Sequence, residues 1–437
     1  APEARNEGAT GMTSSGAGPA PGPSSEPAPL APQLALTFLA SIATAVMWNG
    51  LGFVAKSDYG FREWETFLLF AANGLVYAIA AILSGRVLRG VEGRVSPRGM
   101  IALTLVAQAL AAPMVGLVDG RWALWTTSFL FSICSAWLWP IVESYMSAGR
   151  HGHSMRATIG WWNVTWMTAN ALGLASMSLF IWADIGDEGG RWSVGALGPI
   201  CLLAAVMLIW FPERPAEHRA ERHDEVGRNY AGMLTSCRIM LPMSYVLIGA
   251  LSSLMPYKLD ELGVAPTLET PLTATWLVAR VFLVVGMWRL LFWHGRWGSL
   301  GLAGSLMLVG FGLIAIGPNL ASVLTGLALV GTGQGMIYYS AIYYALSVGH
   351  AEVDAAGTHE SLIGLGYAAG PAVGLFGLLL GGGAAVGWVV LGAAGLATLP
   401  ALRPWIRGRR TQREAEGSPG SPSSKLSDCR SSGKRNR

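Results

Sequence analysis

Long apolar runs recur along the chain and are separated by short polar segments. A helix rises about 1.5 Å per residue and the hydrocarbon core of a bilayer is about 30 Å thick, so a run of roughly 17–25 residues can cross a membrane. The pattern predicts twelve transmembrane helices, with cores at 32–54, 64–84, 99–118, 122–147, 157–183, 193–211, 235–256, 272–293, 299–317, 319–346, 360–380 and 384–402.

The composition places the chain in a membrane rather than in water. Hydrophobic residues make up 52% of the 437 residues and charged residues only 13%, whereas soluble domains carry about 25% charged residues. The mean hydropathy is +0.44 over the whole chain, which leaves too little polar surface to cover a soluble protein of this size. We therefore predict an all-α polytopic membrane protein.

The basic residues predict the orientation, because cytoplasmic loops are rich in lysine and arginine. The loops after the odd-numbered spans hold few basic residues, namely Lys56, Arg62, Arg121, Arg191 and Lys258. The loops after the even-numbered spans and the adjoining span ends hold many more: Arg86, Arg89, Arg94, Arg98, Arg150, Arg156, Arg214, Arg219, Arg222, Arg228, Arg238, Arg289 and Arg296. We expect both termini in the cytoplasm and the protein in a bacterial-type cytoplasmic (inner) membrane.

A charged segment that contains proline lies at the midpoint, FPERPAEHRAERHDEVGRNYA, and leaves six spans on each side. Repeated halves of this kind are common among secondary transporters. The predicted organisation is a disordered Ala/Pro/Ser-rich leader (1–30), a first six-helix half (31–212), a cytoplasmic linker (213–232), a second six-helix half (233–403) and a disordered basic tail (404–437).

Twelve spans in two sets of six, together with two local stretches, resemble the major facilitator superfamily. The stretches are an arginine-led fifth span, from Arg156 through NVTWMTANALG, and GLGYAAGPAVG in the eleventh. The loop after span two departs from the family pattern: SGRVLRGVEGRVSPRG keeps Gly93-Arg94 and its basic character but not the acid-base pair in register. The resemblance implies a secondary active or facilitative transporter that moves a small solute by alternating access through a central cavity.

Arg280 interrupts an apolar run, LVARVFLVVGMW, in the eighth span. It is the ninth residue of the predicted span, about 12 Å from the outer end, and a buried charge at that depth costs roughly 2.5–3.5 kcal/mol on insertion scales. One interpretation is an anchor for an anionic or polar substrate, or a partner in a gating or coupling ion pair. The alternative is a packing residue bonded to helix carbonyls or to a neighbouring carboxylate.

Other polar and aromatic residues lie deep enough to line a cavity. Trp48 and Asn49 stand just past the middle of span one. Asn163, Trp166 and Asn170 recur at i, i+3 and i+7 and therefore share one face of span five. Span ten adds two further candidates on one face, Gln334 and Tyr338. Buried amides also serve as interhelical hydrogen bonds, so packing remains the alternative for each of them.

Two carboxylates are candidates for coupling or gating. Glu143 lies in the cytoplasmic third of span four, and Glu65 lies at the outer edge of span two. Glu360 begins span eleven, where an acid at a helix N-terminus is favourable, and we expect it to cap that helix. No carboxylate lies clearly in the central third of the membrane. Proton coupling, uniport and a mechanism centred on Arg280 all stay open.

The sequence contains no P-loop, no HExxH, no GxSxG and no Cys/His spacing typical of a metal site. We therefore predict no catalytic residues, no cofactor and no metal. The expected partners are a small-molecule substrate, a coupling proton or other ion, and the lipid bilayer; nucleic acid is not expected, and the protein is predicted to be a monomer. The alternatives are a polytopic membrane enzyme acting on a lipid-linked substrate and a transporter-like sensor.

Overall fold

The computed structural model describes residues 26–91, 93–150, 152–183, 189–216, 228–290, 293–348 and 353–416. Within these residues, twelve helices are long and apolar enough to span a membrane, which confirms the predicted number. The first six are α1 Leu30–Ser57, α2 Glu63–Gly90, α3 Pro97–Leu117, α4 Arg121–Ser147, α5 Ala157–Trp182 and α6 Gly189–Trp210. The second six are α7 Gly232–Glu261, α8 Pro266–Arg289, α9 Trp297–Ile316, α10 Leu320–Ala345, α11 Gly357–Gly381 and α12 Gly383–Arg407.

Several of the spans contain breaks in regular α-helical geometry, among them α1 and α8. A π-helical turn, Val46–Gly50, interrupts α1, and such turns often occur at functional sites because they displace side chains from the regular helical face. The α8 span consists of two pieces, Pro266–Thr273 and Thr275–Arg289, which meet at Ala274.

The seam between the two sets of six spans runs along α5 and α8, where the Trp161 and Trp288 rings lie 5.1 Å apart, and along α2 and α11. An ideal Cβ added at Gly364 in α11 would lie 2.7 Å from the backbone nitrogen of Ala78 in α2, and Gly74 in α2 meets the backbone of Ala368. On its other side α11 meets α7, where Gly370 contacts the Val246 carbonyl. Small residues permit this close backbone approach.

The outer surface of the bundle is apolar. Leu110, Phe282 and Leu379 expose 73%, 74% and 76% of their surface. Exposure of large apolar side chains on all sides is the reverse of a soluble fold and matches a protein whose solvent is lipid.

Twelve crossings bring the start of α1 and the end of α12 to the same side of the bundle, which we call the termini side; the opposite side is the far side.

On the far side, Lys56 of α1 reaches across to the second set of spans. Its Nζ lies 3.0 Å from Asp260 Oδ2 and donates to the Pro256 carbonyl at 2.9 Å. The Tyr257 and Thr66 hydroxyls add a further cross-seam hydrogen bond of 2.7 Å. These contacts, the far-side latch, hold the two halves together there.

On the termini side, chain segments predicted as leader, linker and tail are partly ordered. Arg150 donates to the Ala28 carbonyl at 2.6 Å, which fixes the end of the predicted leader. Tyr145 donates to the Pro212 carbonyl at 2.9 Å, and the helix that contains α7 begins at Arg228, within the predicted linker. The final helix runs on to Glu416, so residues 404–416 of the predicted disordered tail are helical. Residues 1–25, 217–227 and 417–437 lie outside the described residues.

We predict that Lys56→Met shifts the protein toward a conformation open on the far side. The ion pair is partly exposed, so its loss is worth about 1 kcal/mol, or about a five-fold change in population. The reporter is Asn49→Cys in a background without native cysteines, labelled with a membrane-impermeant maleimide on intact cells, where the far side is predicted to face outward. Labelling should be several-fold faster in the Lys56→Met protein than in the protein that keeps Lys56.

Lys258→Met is the matched control. Lys258 pairs with Glu261 of its own helix at 3.3 Å and forms no ion pair across the seam among the described residues. Equal labelling of the reporter in the two lysine variants would contradict the assignment of a latch to Lys56.

Candidate functional site

A central cavity is lined by residues from both halves of the bundle. Four spans of the first half and four of the second contribute: α1, α2, α4 and α5, and α7, α8, α10 and α11. The lining residues are Ser41, Thr44, Trp48, Asn49, Tyr77, Trp139, Glu143, Trp162, Trp166, Asn170, Tyr245, Trp276, Arg280, Tyr338, Glu360, Ile363 and Tyr367. Nine of these are Trp or Tyr and one is aliphatic, so the apolar part of the wall is almost entirely aromatic.

Arg280 lies in an aromatic corner of this cavity and is 2% exposed. The centre of its guanidinium lies 4.2 Å from the Trp166 ring and 4.9 Å from the Tyr338 ring, and these two rings are 5.0 Å apart. Trp276, one turn earlier in α8, lies at 5.9 Å. Cation–π contacts of this kind stabilise a cation that has been removed from water.

Two nitrogen atoms of the guanidinium nevertheless lack polar partners. Its Nε and Nη2 atoms are buried and have no hydrogen-bond partner within the described residues. No ion pair among those residues includes Arg280, and the nearest polar group that interacts with it is the Tyr245 hydroxyl. The packing alternative included an ion pair with a neighbouring carboxylate, and the described residues do not form one.

Arg280 lies deeper than the sequence predicted. The span was expected over 272–293, but the α8 helix covers Pro266–Arg289. The arginine is therefore about 21 Å from the far-side end of α8 rather than about 12 Å. The helix starts earlier because Pro266 opens it at the first helical position, where proline is well tolerated. The cation thus lies past the middle of the span, toward the termini side.

The predicted polar face of α5 divides into two roles. Trp166 and Asn170 line the cavity, whereas Asn163 does not. Asn163 is fully buried, donates through Nδ2 to the Ile159 carbonyl at 2.8 Å, and accepts from Trp166 Nε1 at 3.1 Å. Asn163 therefore fixes the indole ring on which Arg280 stacks. The residue that completes the cavity face one turn from Trp166 is Trp162.

The π-helical turn of α1 carries Trp48 and Asn49 into the cavity. Trp48 stacks on Tyr367 of α11, with ring centroids 4.5 Å apart, and meets the edge of Tyr77 at 5.2 Å. Asn49 is buried and its Oδ1 has no hydrogen-bond partner within the described residues. Asn170 Oδ1 is in the same situation. The two amides offer acceptors to a bound molecule.

Two carboxylates line the same cavity. Glu143 comes from α4 in the first half and Glu360 from α11 in the second. The Tyr77 hydroxyl donates to Glu360 Oε2, which joins the two halves. The expectation that Glu360 caps a helix is wrong, because the helix begins at Val353, two turns earlier. Neither carboxylate belongs to an ion pair among the described residues.

Two more of the predicted residues, besides Asn163, are not brought to the cavity wall. Glu65 lies near the far-side end of α2, where it accepts from the Arg62 backbone N–H at 2.7 Å and pairs with Arg121 at 2.6 Å. Gln334 is fully buried behind the wall, and neither of its amide atoms has a hydrogen-bond partner within the described residues, whereas Tyr338 of the same span does line the cavity.

Sequence reasoning missed several of the aromatic wall residues. Trp276 could have been predicted from the sequence, because it stands four residues before Arg280 and so on the same face of the helix. Tyr77, Tyr245 and Tyr367 lie in otherwise apolar or glycine-rich spans, where a lone tyrosine gives no sign of which neighbour it meets. Their grouping depends on how α2, α7 and α11 pack.

The donors in the cavity do not suggest a metal site. Within the described residues, no three His, Cys, Asp or Glu side chains lie close enough together to hold a metal ion. The cavity instead combines one arginine, two glutamates, two amides and a largely aromatic wall, which suits an organic molecule with polar groups.

A twelve-span bundle with a polar cavity shared by its two halves defines a polytopic membrane carrier. The family model for the Major Facilitator Superfamily matches residues 34–358, well over half of the chain. The chain belongs to the major facilitator superfamily, and it is a solute transporter rather than an enzyme.

Solved structures of the same fold are distant in sequence. The nucleoside transporter NupG has a TM-score of 0.63 at 12% identity and covers 86% of this chain and 99% of its own; a variant of it scores 0.64 with the same identity and coverage. The human organic anion transporter MFSD10 (TETRAN) has a TM-score of 0.63 at 15% identity, covering 85% of this chain and 98% of its own. No curated protein matches the sequence.

We predict that Asn163→Leu lowers transport while the protein remains folded. The substitution removes the acceptor of the Trp166 indole N–H and frees the ring against which Arg280 packs. Transport in reconstituted vesicles should fall several-fold. The apparent melting temperature should drop only modestly, since a lost hydrogen bond costs about 1 kcal/mol.

Gln108→Leu is the control for a buried amide outside the cavity, because Gln108 donates to Ser135 at 2.9 Å within the first half. It should lower the melting temperature to a similar extent and leave transport largely intact. If both variants transported equally, Asn163 would have no positioning role.

Proposed function

We propose that this protein moves a small polar or anionic organic solute by alternating access, with Arg280 as the anchor in the central cavity. The observation that carries the proposal is a buried guanidinium with two unpartnered nitrogen atoms in a cavity shared by both halves. Trp48, Asn49, Trp166, Asn170 and Tyr338 form the rest of the proposed binding surface, and Asn163 and Gln334 support it from behind.

The energetics favour a binding role for the arginine. A buried donor without a partner costs about 1–3 kcal/mol, and more when it is charged. A solute that brings a hydrogen-bond acceptor removes this cost. Arg280 therefore binds such a solute more strongly than would an arginine whose donors already had partners within the protein. A packing arginine would be expected to satisfy its donors within the protein, as Arg150 does at the termini side.

The arrangement of contacts between the halves supports a rocking motion. The far-side latch consists of a few polar contacts that can separate, whereas α2 and α11 meet through glycine and alanine backbones that can slide. A transporter requires two such discrete arrangements around a fixed site.

The solved neighbours support an organic solute. One is described as a nucleoside transporter and another as an organic anion transporter. Both kinds of solute carry polar groups, and at 12% and 15% identity the likeness serves only to choose the first solutes to test.

We further propose that Glu143 and Glu360 couple transport to a proton. Two carboxylates in one cavity repel each other when both are ionised, and a shared proton relieves this repulsion. An anion bound at Arg280 adds a further negative charge, so its binding favours the protonated pair. Glu65 is left out of this proposal, because its carboxylate already pairs with Arg121 at the far end of α2.

The remaining expectations follow from the sequence. We propose that the protein functions as a monomer in a bacterial-type cytoplasmic membrane, with both termini in the cytoplasm. In that orientation the far-side latch faces outward, and the cavity residues Glu143, Arg280 and Glu360 lie toward the cytoplasm.

We predict that Arg280→Ala abolishes transport while the protein still inserts and folds. Replacement of a charge-assisted hydrogen bond of about 1.5–3 kcal/mol predicts a loss of roughly ten-fold or more. Arg280→Lys should keep part of the activity, because an ammonium cannot reproduce the two parallel bonds of a guanidinium. Uptake of labelled organic anions and nucleosides into proteoliposomes is the measurement.

Arg289→Ala is the matched control, since Arg289 is exposed at the end of the same span and packs on Trp288. It should transport normally. Normal uptake by a well-folded Arg280→Ala protein would reduce Arg280 to a packing residue.

We also predict that Glu360→Gln and Glu143→Gln uncouple transport from the proton. Each variant should keep solute exchange at equal pH on both sides but lose uptake driven by a pH gradient. Glu65→Gln serves as the comparison and should keep both. Proton-driven uptake that survives in the Glu143 and Glu360 variants but fails in the Glu65 variant would assign coupling to the far end of α2 instead.

A further inference from the structure

We propose that the substrate is a planar aromatic monocarboxylate, an inference that rests on the proposed function and narrows its solute class. The cavity matches such a molecule in three independent respects: the form of its cationic group, its net charge and the composition of its wall.

The cationic group suits a carboxylate. The unpartnered nitrogen atoms of Arg280 are Nε and Nη2, which share one edge of the guanidinium. Two parallel N–H donors on one edge match the two oxygens of a carboxylate and form a bidentate pair. Trp166 and Tyr338 pack within 4.2 Å and 4.9 Å of the guanidinium centre, so they hold its plane while that edge stays without a partner.

The charge balance favours a single negative charge on the ligand. Of the described residues that line the cavity, Arg280 alone is a lysine, arginine or histidine, and Glu143 and Glu360 are both acidic. A dianion such as a phosphate monoester would meet one cation and two carboxylates in a medium of low dielectric constant. A monoanion is neutralised by Arg280, and the glutamates then need only share a proton.

The wall favours a flat aromatic body. Trp48, Trp276 and Tyr367 are among nine aromatic residues that line the cavity, whereas Ile363 is the sole aliphatic one. Aromatic faces prefer other rings in offset or edge-to-face arrangements, which adds about 0.5–1.5 kcal/mol per pair beyond the area buried. The Oδ1 atoms of Asn49 and Asn170 remain available to hydroxyl or N–H groups on such a ring.

The test is ligand binding to the purified full-length protein, measured by thermal shift and titration. The probes are benzoate, 4-hydroxybenzoate and indole-3-carboxylate. Each has a comparison compound that lacks one feature: 4-hydroxybenzamide lacks the charge, cyclohexanecarboxylate lacks the aromatic ring, phenyl phosphate is a dianion, and glucuronate is a carboxylate on a sugar.

At least one aromatic carboxylate should stabilise the protein and bind roughly ten-fold or more tightly than its comparison compounds. Arg280→Gln should weaken that binding by at least ten-fold, and Arg289→Gln should not change it. Trp276→Leu should weaken the binding of the aromatic carboxylate more than it weakens the binding of cyclohexanecarboxylate. If Arg280→Gln fails to fold, the ranking of compounds on the unmodified protein still decides.

Three results would overturn the inference: stabilisation by none of the aromatic carboxylates, equal binding of the benzamide or of the cyclohexane acid, or a preference for phenyl phosphate or glucuronate. These outcomes differ from failure of the proposed function. If the protein transports another solute but binds none of these probes, only the inferred substrate class is contradicted. If it binds the probes tightly but transports no solute, the proposed alternating-access transport is contradicted.

Discussion

A positive charge buried in a membrane protein has to be stabilised by its surroundings, and Arg280 is stabilised only in part. Aromatic rings from α5, α8 and α10 pack against the guanidinium, but two of its nitrogen atoms have no partner within the described residues. Much of the central architecture is arranged around this cation. Asn163 holds the Trp166 ring, and residues of eight spans enclose the space that the arginine lines.

The same cavity places acidic groups from different halves in one enclosure. Glu143 belongs to the first half of the bundle and Glu360 to the second, while the hydrogen bond from Tyr77 to Glu360 crosses between the halves. A change in the charge of this pair therefore acts directly on the contact between the halves. This arrangement gives binding and protonation a common structural target, which is what coupling between a solute and an ion requires.

Besides the aromatic contacts around the cavity, two kinds of contact join the halves, and each suits its position. At the far side they are ion pairs and hydrogen bonds, such as those of Lys56 and Tyr257, which water can replace when the halves separate. Along α2 and α11 they are close backbone contacts at glycine. A bundle that must open at its ends while it stays joined along its length needs both.

The sequence by itself determined the class of protein, the number of spans and the presence of a buried cation at Arg280, because membrane thickness and the cost of a buried charge act locally on the chain. Trp48, Trp166 and Tyr338 were also predicted, since an aromatic or polar side chain in a long apolar run is visible without its neighbours. Only the tertiary structure decided that Glu360 faces the cavity, that Asn163 supports Trp166 from behind, and that Glu65 lies apart. Those roles depend on which helix faces which, and periodicity along one helix carries no information about its partner.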